Sequence, residues 1–174
     1  MKKEGRHFYR NFAYGAGSLG DSLSYNLFYS YFIYFLTTIA GIRPAIAGDI
    51  SFIAVVWDAV TDPIIGYYSD NSRFRAGRRS PFLLAFSIPL GLTVFALFQN
   101  PNISDTGKIV YYLIVNILFW LFFTCTDIPY LAFGADLTTD YDERTKIRKW
   151  ARIFMSFGDI AVVAGTLPLI ELFT

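Results

Sequence analysis

The chain has 174 residues, of which 54% are hydrophobic and 19% aromatic, and its formal net charge is +1. So small a net charge excludes the polyelectrolyte character that suits nucleic acid, and the single cysteine excludes an intrachain disulfide. A soluble domain of this size would show alternating patterns and many short turns. This chain is instead a series of long apolar stretches, so we expect an all-α integral membrane protein.

Five apolar stretches follow one another, each long enough to cross roughly 30 Å of hydrocarbon. In chain order they cover residues 12–40, 44–70, 80–100, 109–137 and 146–174. Short polar or Gly/Pro segments separate them: "GIRP", "NSRFRAGRR", "NPNISDTGK" and "TTDYDERT". The sequence therefore predicts a single domain of five transmembrane helices.

Basic residues are distributed unevenly between the two sides of this predicted domain. Of the 15 Lys and Arg residues, 12 lie before the first stretch, between the second and third, or at the connection between the fourth and fifth. Only Arg43 and Lys108 lie on the other side. The positive-inside rule then places the N-terminus and the loops at 71–79 and 138–145 in the cytoplasm. We expect a plasma membrane protein, in bacteria an inner membrane protein.

Charged side chains also interrupt the apolar stretches, at similar predicted depths. A charge near the bilayer centre costs on the order of 3 kcal/mol, so such residues usually line a cavity. At a rise of 1.5 Å per residue, these side chains lie roughly 14–20 Å from the cytoplasmic ends of their helices. They are Asp21, Asp58, Asp62, Asp127 and Arg152. We expect them to meet in one layer near the membrane midplane.

The acidic residues have the spacing of a cation site. Asp58 and Asp62 are four apart on one helix face, with Thr61 beside them, and Thr124 and Asp127 are three apart on another. Carboxylate and hydroxyl oxygens together suit Na⁺, Li⁺ or H₃O⁺, or a single carboxylate could carry a proton. The structural alternative is an ion-pair network that only holds helices together, although a single arginine cannot neutralise four aspartates.

Aromatic residues accompany the acid of the first stretch. Tyr25 and Tyr29 follow Asp21 at four and eight residues, and flat rings beside carboxylates suit a sugar. Such rings equally serve as packing or as an interfacial belt in membrane helices. Asp159 lies seven residues after Arg152, on the same helix face, and is expected to pair with it.

Three segments carry a resemblance to a known family. The pattern D-x-x-x-D-P-x-x-G-x-x-x-D, followed by G-R-R-x-P, resembles the glycoside–pentoside–hexuronide cation symporters, the melibiose-permease branch of the major facilitator superfamily. "TCTDIPYLAFGADLTTDYDERT" and "WARIFMSFG" are similar to the fourth and fifth helices of that family. The matches cover essentially the whole chain in the expected order.

The resemblance implies roles for individual residues. It implies cation coordination, with Na⁺ as a candidate, by Asp58, Asp62, Asp127, Thr124 and Thr61, where Thr61 stands in place of an Asn of melibiose permease. It implies substrate contact by Asp21, Asp127 and Arg152. Leu131 replaces a sugar-stacking Trp, so Tyr130, Trp120 or Tyr25 is expected to supply a ring. It implies a cytoplasmic charge latch formed by Gly66, Asp70, Gly77, Arg78 and Arg79.

The family fold has twelve helices in two halves that rock against each other around the substrate. The chain corresponds to the first five helices, most of the N-terminal half, so we expect an N-terminal fragment whose partners are a sugar-like solute, the lipid bilayer and the C-terminal half. The resemblance implies symport of a sugar or glycoside-like solute, driven by Na⁺ or H⁺, with Li⁺ possible as coupling ion, no organic cofactor and no enzymatic activity.

Three other functions are alternatives to symport. A lysolipid carrier of the same fold would suit Leu131 and the aromatic first helix, and a non-transporting remnant would use none of the acids. An intramembrane aspartyl protease needs two aspartates facing one another, whereas Asp58 and Asp62 share one helix.

Overall fold

The computed structural model describes residues 2–72 and 80–173, with side chains described for 8–72 and 82–165. Its elements are α1 (Lys2–Tyr34), a π-helical turn (Phe35–Ile39), α2 (Pro44–Asn71), α3 (Ser80–Leu97), α4 (Asp105–Asp136) and α5 (Tyr141–Phe173). The all-α prediction is confirmed for this part of the chain. Of the predicted latch, Gly77, Arg78 and Arg79 lie outside the described residues.

Several helix ends differ from the ends of the apolar stretches. Helix α1 begins at Lys2, α4 at Asp105 and α5 at Tyr141, each before its apolar stretch, and α3 ends at Leu97. Hydropathy marks where side chains are apolar, whereas the helix continues wherever backbone hydrogen bonds and caps permit. Asp140 provides such a cap, because the Glu143 backbone N–H donates to its Oδ1 at 3.1 Å.

Two of the described helices, α2 and α4, are long and apolar enough to cross a membrane by length and composition. Their best windows have mean hydropathies of 1.4 and 2.0. The segment Phe82–Leu97 of α3 is apolar but shorter. The predicted count of five spans therefore stays a prediction.

The helices form two compact units. The central unit is Phe28–Phe133, and the terminal unit joins Met1–Leu27 to Gly134–Thr174. The core of the central unit is aromatic: the Phe28 ring stacks on Phe32 and on Phe119, each at a centroid distance of 4.8 Å. Burial of such large rings provides much of the packing energy of a core.

Two tyrosine hydroxyls and one glycine provide hydrogen bonds for backbone carbonyls near helix ends in the central unit. Gly41 adopts a left-handed conformation, with φ of 74°, just after the π-helical turn, and the Ile42 N–H donates to the Leu36 carbonyl at 2.9 Å. At the end of α3, Tyr111 donates to the Ala96 carbonyl at 2.9 Å and Tyr112 to the Gln99 carbonyl at 2.7 Å. These bonds supply hydrogen-bond donors to backbone carbonyls where the π-helical turn and α3 end.

We expect Tyr112→Phe to lower the stability of the protein, because it leaves the Gln99 carbonyl without its donor. Tyr112 is fully buried, so the loss should be about 1 kcal/mol, or about 2–4 °C in thermal unfolding of the detergent-solubilised protein. Tyr67→Phe, at a site with 68% exposure, is the matched control and should leave the unfolding temperature unchanged. Equal unfolding temperatures for the two variants would contradict a role for the Tyr112 hydroxyl.

Small residues bring α1 and α5 together in the terminal unit. A Cβ added at Gly15 would lie 3.1 Å from the Trp150 backbone, and one at Gly158 would lie 3.0 Å from the Ser22 hydroxyl. Ser18 donates across this contact to the Ala151 carbonyl at 2.8 Å. Close approach through small residues, with hydroxyls bonding across, is a common way for membrane helices to associate.

Candidate cation site

Two carboxylates and one hydroxyl meet between α2 and α4 in the central unit. The Thr124 Oγ1 lies 2.7 Å from Asp58 Oδ1 and 3.0 Å from Asp62 Oδ1. Asp58 and Asp62 are one helical turn apart on the same face of α2, and Thr124 is 2% exposed. We call these three residues the acid pair site.

The geometry of the acid pair site limits its charge state. A hydroxyl carries one proton, so Thr124 can donate a full hydrogen bond to only one carboxylate. The second short contact is stabilised if the other acid is protonated and donates to Thr124, or if a cation lies among the oxygens. Two ionised carboxylates on one hydroxyl would repel each other instead. Carboxylate and hydroxyl oxygens grouped in this way are the donor set that a proton or a small cation would stabilise.

Small and buried residues line the face of α2 that lies against α4. Gly66 has no side chain, and a Cβ at that position would lie 3.9 Å from Ile128 on α4. On α2 the buried residues Ile50, Ala54 and Thr61 follow one another at spacings of four and seven residues and so form one face. The acid pair therefore occupies the seam of two packed helices.

The other predicted cation ligands, Thr61 and Asp127, lie on the same two helices as the acid pair site, and both acids of the pair lie within electrostatic range of Asp127. The buried Thr61 hydroxyl bonds within its own helix, to the carbonyls of Trp57 and Asp58, both at 3.1 Å. Asp127 is half-buried on α4, three residues after Thr124, which turns it about 60° around the helix. Among the described side chains, no three acidic, histidine or cysteine residues lie close enough to hold a metal ion. The structure thus joins two of the three predicted carboxylates, and the role of Asp127 stays a prediction.

The predicted substrate aromatics of the central unit differ in exposure. Trp120 is only 4% exposed, and its ring packs against Phe28, Phe119 and Phe123 at 5.2, 5.6 and 5.9 Å. It is a core residue, which hydropathy alone did not distinguish from a cavity wall. Tyr130 is half-buried and Leu131 is 57% exposed. Of the predicted latch residues in this unit, Asp70 is exposed at the end of α2.

The terminal unit holds the predicted substrate residues of α1 and α5. Asp21 is half-buried and Tyr25 is 39% exposed. Arg152 lies in a groove of about 470 Å³ along α5. The groove is lined by Lys149, Arg152, Ile153, Ser156, Phe157 and Ile160. Two cations, a hydroxyl and three apolar side chains thus share one helix face.

The expected pairing of Asp159 with Arg152 is wrong for the described side chains, where no ion pair joins them. Asp159 Oδ1 instead accepts from the Ser22 hydroxyl at 2.5 Å and from the Asn26 amide at 2.8 Å. Two helical turns separate Asp159 from Arg152, and the close α1–α5 contact turns the carboxylate toward α1. Ser22 and Asn26 were not predicted, although the spacing of Gly15, Ser18, Ser22 and Asn26 could have indicated this polar seam.

A family model described as MFS/sugar transport protein matches residues 13–174. Charged groups within apolar helices are typical of a membrane transporter. The match to the family model shows that the chain belongs to this family of the major facilitator superfamily. The resemblance to the glycoside–pentoside–hexuronide symporters is thereby confirmed, as is the expectation that the family is not one of enzymes.

Individual relatives have related names. An uncharacterized symporter of Synechocystis is 37% identical over 97% of this chain, and the putative glycoside/cation symporter YagG of Escherichia coli is 33% identical over 91%. A sodium-dependent lysophosphatidylcholine symporter of Danio rerio is 33% identical over 75%. The matches cover 33%, 35% and 24% of these relatives, so the chain spans about a quarter to a third of their length.

Proposed function

We propose that this chain forms the cation-binding part of a secondary transporter in which Na⁺ or H⁺ drives uptake of a sugar or glycoside-like solute. The observation that carries the proposal is the contact of both Asp58 and Asp62 with the single Thr124 hydroxyl, at 2.7 and 3.0 Å. Such a group is stabilised by a bound proton or cation. A symporter needs such a site, because the ion gradient can act on the solute only through a bound ion.

The proposal includes an arrangement in the membrane. All five helices cross the bilayer, the N-terminus is cytoplasmic, and in a bacterium the protein lies in the inner membrane. The uneven distribution of Lys and Arg supports this orientation. Asp70, at the cytoplasmic end of α2, would pair with Arg78 and Arg79 in one state of the transport cycle. The transport cycle is proposed for a protein with the full length of the relatives.

The solute part of the proposal rests on groups in the terminal unit. The Arg152 guanidinium can donate hydrogen bonds to solute hydroxyls, Asp21 can accept them, and the Tyr25 ring can stack on a sugar face. The relative named as a putative glycoside/cation symporter supports this class of solute. The solute contacts predicted for Asp127 and Tyr130, which lie on α4 in the central unit, stay predictions.

An amphiphile such as a lysolipid is the second candidate solute. The exposed Leu131 stands where the melibiose-type proteins have a stacking Trp, and one relative is named as a lysophosphatidylcholine symporter. Uptake measurements in cells would separate the two: a labelled glycoside competed by other sugars supports the first, and lysolipid uptake that sugars do not inhibit supports the second.

Thermal unfolding of the purified protein tests the cation proposal directly. Unfolding would be followed in Na⁺, Li⁺ and K⁺ at constant ionic strength, and in K⁺ between pH 5 and 9. Ion at about 100 times its Kd stabilises by about 2.7 kcal/mol, which corresponds to about 5–10 °C. We expect Na⁺ with Li⁺, or low pH, to raise the unfolding temperature by such an amount. An unfolding temperature that responds to neither ions nor pH would refute the proposal and favour a non-transporting remnant.

A further inference from the structure

Two polar atoms in the core of the central unit have no hydrogen-bond partner among the described residues. They are the Trp120 Nε1, a donor, and the Asn116 Oδ1, an acceptor. Asn116 is fully buried and Trp120 is 4% exposed. A buried polar group without a partner costs free energy, and native proteins pair nearly all such groups with protein or ordered water.

The two atoms are complementary and lie on the same face of α4. Residues four apart on a helix have Cβ atoms roughly 5–6 Å apart, and the two side chains form no direct hydrogen bond. One water molecule with two hydrogen bonds of about 2.8 Å each can join a buried donor and a buried acceptor that do not bond directly. The indole N–H would donate to the water oxygen, and the water would donate to the amide oxygen.

The orientation of the Asn116 amide is fixed independently. Its Nδ2 donates to the Ile50 carbonyl of α2 at 3.3 Å, so its Oδ1 faces away from that contact. The rings of Phe28, Tyr29, Phe119 and Phe123 pack against the indole of Trp120, and no described group accepts a hydrogen bond from its Nε1. Protein groups therefore do not supply the missing partner on either side.

We propose that Trp120 and Asn116 form a binding site for a single structural water molecule inside the aromatic core of the central unit. The site is separate from the acid pair site, and it stands whether or not the acid pair binds a cation. Thr124 lies four residues further along the same face of α4, so the water extends the polar row toward the acids. It would tie α4 to α2 through Asn116 and Ile50.

Water-to-protein NMR transfer to the indole protons of the ¹⁵N-tryptophan-labelled protein in detergent tests the site. The chain has three tryptophans, and loss of one signal in Trp120→Phe assigns the Trp120 resonance. We expect a cross-peak from water to this buried indole proton with the sign of a long-lived contact, and its loss in Asn116→Leu, with the Trp120 resonance still dispersed. Absence of the cross-peak in the unchanged protein, or its survival in Asn116→Leu, would overturn the proposal.

A double-mutant cycle on thermal unfolding provides the second measurement. Trp120→Phe replaces the indole with a smaller phenyl ring, so it removes the N–H and also leaves a cavity. The unfolding temperature should therefore fall by more than the about 2–4 °C that a hydrogen bond through water contributes. In the Asn116→Leu background the same change should cost about 2–4 °C less, because the bridge is already lost and only the cavity cost remains. If Trp120→Phe raises the unfolding temperature, or costs the same in both backgrounds, the indole N–H is not bridged to Asn116 and the proposal fails.

Discussion

Asp58→Asn and Asp62→Asn are each expected to abolish the protection of the protein by Na⁺ or by protons. Both carboxylates contact the Thr124 hydroxyl, so an amide at either position removes the charge that a cation would neutralise. The loss should equal the whole ion-dependent shift of about 5–10 °C. Without the ion, the variants should be as stable as the unchanged protein or more stable, because one of two like charges on the same helix face is removed.

Matched variants separate ion binding from general damage to α2. Asp49→Asn removes an exposed acid from the same helix and should leave the ion response intact. Thr124→Val should weaken the response, and Thr124→Ser, which keeps the hydroxyl, should restore it. An undiminished ion response in Asp58→Asn and Asp62→Asn would show that the ion binds elsewhere or not at all.

Gly15→Leu is expected to destabilise the terminal unit strongly. A Cβ at this position would lie 2.8 Å from the Phe154 ring and 3.1 Å from the backbone of Trp150, and the backbone cannot move aside without separating α1 from α5. Overpacking of this kind costs about 1–3 kcal/mol, and loss of the helix contact would add to it. We expect the unfolding temperature to fall by about 2–10 °C.

Gly20→Leu provides the control on the same helix. No atom lies within 4 Å of a Cβ built at Gly20, so the larger side chain meets open space. Both substitutions gain about 1 kcal/mol of helix propensity, so the difference between them isolates the steric cost at Gly15. Equal unfolding temperatures for the two variants would contradict close packing of α1 on α5.

The acid pair site could be predicted because its geometry is mostly local. Asp58 and Asp62 are four residues apart in one helix, so helical periodicity alone puts them on one face. The contact with Thr124 was expected from the family resemblance, and the structure shows the hydroxyl between the two acids. Whether Asp127 completes the set depends on the rotation of α4 about its axis, which periodicity does not specify.

The partners of two other residues could not be predicted from periodicity or from the family resemblance. Trp120 is one of the three rings that the resemblance offers for the solute, with Tyr130 and Tyr25, but stacking with Phe28 and its neighbours puts Trp120 in the core. Asp159 was expected to pair with Arg152, but close α1–α5 packing brings Ser22 and Asn26 to it first. In both cases the sequence identifies a face of a helix, while the partner of that face is chosen by packing against another helix.

The sequence by itself determined that this chain is a series of apolar helices interrupted by acids at helical spacing, since both features follow from hydropathy and periodicity within one helix. Only the tertiary structure decided which hydroxyl joins the acids, which aromatic ring is buried, and which carboxylate bonds to α1. These outcomes depend on how closely two helices approach and how each is rotated. Glycines and hydroxyl groups where two helices meet control the approach and the rotation. These residues come from helices that are distant in sequence.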